Sequence, residues 1–238
     1  MSRVFITGDV HVPHDIHKLN STFFPAGKEL TKDDILIICG DAGFIWSEGK
    51  EEKYWLDWIS NKNWTTVYCD GNHENHARLR EFPVVDFKGA KAHKITDSLF
   101  HIMRGEITTI NDETYFFFGG AFSHDIQYRT ENISWWQAEL PVQEEVDNAL
   151  DNLQKHNNKV DYIITHDVPS SINQILGYNI PNMRYYDSGY IHICKFFEHI
   201  KDTVEFKNWF AGHYHVNSRI DKFQILYTAI IEIKGYKV

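Results

Sequence analysis

The 238-residue chain is poor in cysteine: Cys39, Cys69 and Cys194 are its only three, and none forms a Cys-x-x-Cys pair. An odd, scattered set argues against a disulfide framework and points to a reducing, cytoplasmic setting. Cys39 and Cys69 each close an apolar run and read as small buried hydrophobes rather than reactive thiols. Long hydrophobic runs are also missing. No stretch approaches the roughly 20 apolar residues that span a bilayer, and the run at 4–6 is too short for a signal-peptide core. A basic surplus is absent too: 24 Lys and Arg face 33 Asp and Glu, for a formal net charge of -9. That balance disfavours a broad phosphate-gripping surface, and with it nucleic acid as a partner, without excluding it. A small phosphorylated substrate stays compatible, because bound metal reverses the charge inside a site. With no internal repeat and no low-complexity linker, the chain reads as a single domain, 1–238.

What is present is a rhythm of apolar runs. Residues 3–7, 34–39 and 65–69 read as strands, the second continuously apolar as in a sheet covered on both faces. Residues 51–59 read as a helix with Tyr54, Trp55, Trp58 and Ile59 on one face. Such alternation indicates βαβ units. The runs 92–96, 99–103, 106–110 and 115–118, joined by tight turns, predict an antiparallel meander. Further on, 143–156 predicts a helix with Val146, Leu150 and Leu153 on one side. Residues 160–165 follow as a strand, 189–200 as a helix, 209–211 as a short strand, and 219–233 as two or three strands.

Five short polar motifs sit where apolar runs end, in the order Asp9-Val10-His11, Gly40-Asp41, Gly71-Asn72-His73-Glu74, Thr165-His166-Asp167 and Gly212-His213-Tyr214-His215. Of their residues, Asp9, Asp41, Asn72 and the five His suit two divalent metals held side by side through oxygen and imidazole nitrogen, with one His to spare. In an α/β sheet, ligands collect outside the carboxyl ends of the strands, where these motifs fall.

The order and spelling of the motifs resemble the calcineurin-like metallophosphoesterase superfamily, from residue 9 to residue 215. The resemblance implies an α/β fold built as a two-sheet β-sandwich flanked by helices. It implies that Asp9, His11 and His215 bind one metal, that Asp41 bridges, and that Asn72, His166 and His213 bind the second. His73 is then the catalytic residue, facing the substrate and paired to a carboxylate such as Asp9. The implied reaction is hydrolysis of a phosphomonoester, phosphodiester or nucleotide by in-line attack of a metal-bridging hydroxide. The mixed oxygen and nitrogen set accepts manganese, iron, zinc, nickel or cobalt. After Asp41 the chain reads Ala42-Gly43-Phe44-Ile45-Trp46, lacking the Asp-Arg-Gly of the protein Ser/Thr phosphatase branch. Two alternatives stand beside the enzyme: a binding scaffold on the same fold without catalysis, and a nuclease.

The remaining histidines, His14, His17, His76, His93, His101, His124, His156, His192 and His199, read as surface or structural groups rather than ligands. Glu74 and Asp167 flank ligand positions, either bracing them or solvated. The stretch Gly119-Gly120-Ala121-Phe122-Ser123-His124-Asp125 is balanced between entering the site from another sheet and making a plain glycine turn. Arg129, Arg78 and Arg184 are the candidate phosphate-binding cations.

Overall fold

The computed structural model describes residues 1–233. Its strands are β1 (Val4–Thr7), β2 (Ile35–Cys39), β3 (Thr65–Cys69), β4 (Val84–Phe87), β5 (Ala90–Thr96), β6 (Leu99–Ile102), β7 (Glu106–Ile110), β8 (Glu113–Phe118), β9 (Tyr162–Thr165), β10 (Asn208–Ala211), β11 (Ser218–Ile220), β12 (Phe223–Ile225) and β13 (Ile231–Glu232). Five α-helical segments accompany them: α1 (Lys50–Ser60), α2 (His76–Leu79), α3 (Gln143–Lys155), α4 (Ser170–Ile175) and α5 (Ile193–Thr203). The strands form a seven-stranded sheet, ordered β13-β1-β2-β3-β6-β5-β4, and a six-stranded sheet, ordered β11-β12-β10-β9-β8-β7. This is the α/β two-sheet sandwich flanked by helices that the resemblance implies.

Strand alternation builds the layers. In β2, Ile35, Ile37 and Cys39 face the space between the sheets, where they join Val67 and the second sheet's Tyr115, Phe117, Ile164 and Phe210. Leu36 and Ile38 face outward, packing with Phe5, Tyr68 and Ile59 of α1. The second sheet's other face, with Phe116, Phe118 and Ile163, is covered by Val146 and Leu153 of α3 and by Phe197 and Ile200 of α5. Period-two side-chain alternation therefore makes a continuous apolar run such as β2 useful on both faces. The parallel β1, β2 and β3 hold Phe5 opposite Leu36 and Leu36 opposite Thr66, so their carboxyl ends finish together. No helix among the described residues is long and apolar enough to cross a membrane.

The structure corrects several expectations. The expected meander is two hairpins in different sheets: β5 pairs with β6 in one, β7 with β8 in the other. The dipeptide Arg104-Gly105 forms the expected tight turn, with Glu106 N bonded to Met103 O at 3.3 Å, but the turn carries the chain between sheets instead of closing a hairpin. Arg104 is anchored away from β6, its Nε on Asp70 Oδ2 at 3.0 Å and its Nη1 on Glu145 Oε2 at 3.0 Å. Strand β4 was not foreseen; it is an edge strand, antiparallel to β5, with Val84 54% exposed. Tyr54 and Leu150 are exposed, and Ala149 takes the inward place in α3 between Val146 and Leu153. The last long helix starts at Ile193, because Ile191 N is bonded to Pro141 O and Tyr190 bridges to Val142. Residues 234–238 lie outside the described region.

Arg104 and Asp70 are both buried, and the ion pair ties the end of β3 to α3. Burial alone would raise Asp70; Arg104 and His101 hold it well below the usual carboxylate range. Removing one partner of such a pair leaves an uncompensated charge. Arg104→Met is expected to lower stability by roughly 3–5 kcal/mol in urea unfolding. The double variant Arg104→Met with Asp70→Asn should recover much of that loss, since no buried charge remains.

Candidate metal centre

The carboxyl ends of β1, β2, β3, β9 and β10 converge, and each delivers one motif within a few residues of its end. The backbone there is unusual. Asp9 (φ 50), His11 (φ 40), Asp41 (φ 49), His213 (φ 72) and His215 (φ 50) all adopt the left-handed conformation that non-glycine residues avoid. Strain gathered on five motif residues marks a site whose side-chain directions the surrounding structure enforces. The loops hold one another: Asp9 N donates to Gly40 O at 3.2 Å, His11 N to Asp41 O at 2.8 Å, and Gly212 N to His166 O at 3.0 Å. At Gly40 and Gly71 only hydrogen fits. A Cβ at Gly71 would lie 2.0 Å from Asp41 Oδ1, and one at Gly40, itself at φ +76, would lie 2.3 Å from His166 Nδ1.

All eight residues singled out in the sequence meet here. Donor atoms of Asp9, His11 and His215 lie within 4.8 Å of one another, as do those of Asp9, Asp41 and His166, and those of His11, Asp41 and His73. Asp41 turns a different oxygen to each side: Oδ2 is 3.1 Å from His11 Nε2 and Oδ1 is 3.2 Å from His166 Nε2. Asn72 Oδ1 is 3.3 Å from His166 Nε2. The His213 ring stands 5.0 Å from that of His166. His73 belongs to one of the close groups, and its N donates to Asp41 Oδ1 at 2.8 Å. Its ring meets Arg129 Nη2 at 3.0 Å rather than Asp9, so the expected carboxylate pairing is not what the structure holds.

The donor set fits divalent cations. Asp9 and Asp41 are 0% and 1% exposed, and two buried carboxylates side by side demand compensation. Burial pushes Asp9 up to about 6. Burial would raise Asp41 as well, but His166 and the hydrogen bonds from His11 and His166 hold it well below its usual value. Burial works against a charge on His166, yet Asp41 and Asp9 push it up to about 10. Hard carboxylate oxygens and imidazole nitrogens so arranged are donors that divalent cations take.

Supporting contacts were largely invisible in the sequence. Asp15 Oδ2 is 2.8 Å from His11 Nδ1, and Cys39 O is 2.7 Å from His166 Nδ1. Each leaves the opposite ring nitrogen, Nε2, directed at Asp41, as is common behind metal-binding imidazoles. Asp15 carries a local signal, an acid four residues after a candidate ligand; Cys39 O carries none. Half-buried Lys18 donates to Asp9 O at 3.1 Å and to the carbonyls of Gly8 and Tyr227; desolvation lowers it to about 8. Glu74 and Asp167 are buried braces, not solvated groups. Glu74 Oε1 accepts from Ala42 N at 2.9 Å, and Asp167 Oδ1 accepts from Tyr214 Oη at 2.5 Å. His76, His93 and His101 surround Asp70 away from the centre, as structural groups. His124 is the exception among the non-motif histidines: its Nε2 faces His213 Nε2 at 3.0 Å. Among the arginines, Arg78 is held by Glu52 and Arg184 lies exposed on Tyr185, whereas Arg129 reaches the site.

Residues 2–217 match the family profile described as calcineurin-like phosphoesterase. The chain belongs to that family. The calcineurin-like phosphoesterases are metal-dependent hydrolases, and the clustered Asp and His groups are ones that could hold the metal. No curated protein matches the sequence. Among solved structures, it is similar to a putative 5'-nucleotidase from Staphylococcus aureus in complex with alpha-ketoglutarate. The two share 14% identity with a TM-score of 0.46, over 94% of this chain and 48% of that one. The chain thus spans about half the length of that structure.

Metal should stabilise this calcineurin-like phosphoesterase by mass action. Excess Mn²⁺ at about 100 times its dissociation constant is expected to add about 2.7 kcal/mol, read as a rise in Tm. Gly71→Ala should abolish that rise, because its Cβ would displace Asp41, with the fold of the metal-free variant checked by its own Tm. An unchanged Mn²⁺ response in Gly71→Ala would contradict this placement.

Proposed function

We propose that the chain is a dinuclear-metal phosphoesterase acting on a small phosphomonoester, phosphodiester or nucleotide. One observation carries this reading. Within the cluster of motif residues, Asp41 presents one carboxylate oxygen to His11 and the other to His166, an arrangement that suits a bridging ligand. Asp9, His11 and His215 would hold one cation, and Asn72, His166 and His213 the other, with Asp41 shared. A bound pair of divalent cations supplies Lewis acidity and a water of lowered pKa; manganese, iron, zinc, nickel and cobalt all suit the donors.

The chain's own residues do the rest. Arg129 lies beside His73, braced by Asp125 at 2.7 Å, and is placed to hold a phosphoryl oxygen through charge-assisted hydrogen bonds. His73 faces the same space, where it can protonate or hydrogen-bond the departing oxygen. Burial pushes His73 down to about 4; the negative charge of a bound phosphate would favour the protonated imidazole that the proton-donor role requires. Room for the substrate exists beside it, a cavity of about 430 Å³ lined by His11, His14, Asp15, His73 and His215 together with the apolar surfaces of Val12, Pro13 and Trp46. The apolar wall suits the organic part of a small ester better than a polyanionic strand. The cysteines are free and buried, in keeping with a cytoplasmic protein.

Elemental analysis of protein saturated with Mn²⁺ should approach two equivalents per chain, and Asp41→Asn should lose both. Its activity should fall by more than the roughly 10–100-fold typical of residues that only support a ligand. His73→Ala is expected to keep both metals and lose about 10²–10⁴-fold in turnover on an alkyl phosphate. The loss should shrink on a nitrophenyl phosphate, whose oxygen departs without a proton; equal losses would assign His73 to charge stabilisation. Two bound metals with no hydrolysis of any phosphate ester would turn the reading to a scaffold.

A further inference from the structure

The amide of Asn72 can face a metal in only one useful way: Oδ1 binds a cation and the NH₂ group cannot. An isolated asparagine is free to flip. Here it is not. Asn72 Nδ2 donates to Ser123 Oγ at 3.2 Å, and Ser123 Oγ donates onward to Glu139 Oε2 at 2.7 Å. Glu139 Oε1 accepts from Ser123 N at 2.8 Å and from the Tyr186 hydroxyl. Ser123 has one hydroxyl hydrogen; when Glu139, which burial pushes up to about 7, is ionised, its Oε2 takes that hydrogen and leaves the serine oxygen able only to accept. The amide atom opposite must then be a donor. Oδ1 is left pointing the other way, 3.3 Å from His166 Nε2. Asn72, Ser123, Glu139 and Tyr186 are 4%, 7%, 0% and 9% exposed, so water offers little competition for these bonds.

We propose that Ser123 and Glu139 are positioning residues that fix which atom Asn72 presents, and so build the metal position it shares with His166. This rests on the two-metal reading above. Neither residue needs to touch metal or substrate. They come from outside the motifs: Ser123 lies in the segment after β8 of the second sheet, and Glu139 at the end of the following loop. The next residue, His124, lies against His213, the other imidazole assigned to that metal. The stretch 119–125 is thus a supporting wall for one metal position rather than a plain turn.

The test is Mn²⁺ binding by equilibrium dialysis and calorimetry on the full chain, with Tm of the metal-free protein in parallel. Wild type is expected to show two binding steps. Ser123→Ala should weaken one step by roughly 10–100-fold and leave the other unmoved. Ser123→Thr, which keeps the hydroxyl, should restore it. Glu139→Gln should reproduce the selective loss, and the double variant should be no worse than the single ones, because both act through one chain of hydrogen bonds. If Ser123→Ala proves unstable, Glu139→Gln and Ser123→Thr still carry the comparison. Two unmoved steps in folded Ser123→Ala and Glu139→Gln would overturn the proposal, as would equal weakening of both steps. Wild type that binds no Mn²⁺ would instead remove the two-metal reading on which it stands.

Discussion

Two carboxylates buried side by side, Asp9 and Asp41, are the constraint around which the structure is arranged. Neither is more than 1% exposed, and they share an imidazole, His166. Leaving them uncompensated would be costly in a low-dielectric interior, so the fold surrounds them with imidazoles, backbone N–H groups and the half-buried Lys18. His213 N donates to both Asp9 oxygens at 3.0 Å, and His73 N to Asp41 at 2.8 Å. The left-handed conformations of Asp9, His11, Asp41, His213 and His215 follow from the same demand: each turn must aim a polar side chain back at the strand ends.

Compensation of that kind needs both sheets. The first supplies Asp9, His11, Asp41, Asn72 and His73; the second supplies His166, His213 and His215. Neither sheet alone completes the centre, so its geometry depends on the apolar layer packed between them. Tyr115, Phe117 and Ile164 from one side and Ile37 and Val67 from the other hold the strand ends at a fixed distance. The buried ion pair of Asp70 with Arg104 works alongside that layer. It sits two residues before Asn72 and clamps the end of β3 to the chain as it crosses between sheets.

The segment from β8 to α3 has no metal motif of its own yet reaches the centre at Ser123, His124 and Arg129. The three act in different places: on Asn72, on His213, and beside His73 where substrate would lie. A loop positioned by a rigid scaffold can vary to suit a substrate while the motif loops stay committed to metal. Trp46 and Trp136 meet edge to face with centroids 5.3 Å apart, joining the loop after β2 to this segment.

Read alone, the sequence determined the strand-end motifs, because strand periodicity and glycine-preceded polar turns are local and repeat along the chain; the ligand roles and the two-sheet sandwich came from the resemblance those motifs carry. The positions of β1, β2, β3 and β9 were legible for that reason, to within two residues. Only the tertiary structure decided the rest. The hairpins 90–102 and 106–118 look like one meander, and what separates them is Arg104 finding Asp70, a contact 34 residues away. Asp15, Lys18, Ser123, Glu139 and His124 gain meaning from partners up to 212 residues distant. Which histidine orients a ligand and which merely packs against a carboxylate is a matter of distance and burial. Those quantities exist only once the two sheets have closed on each other.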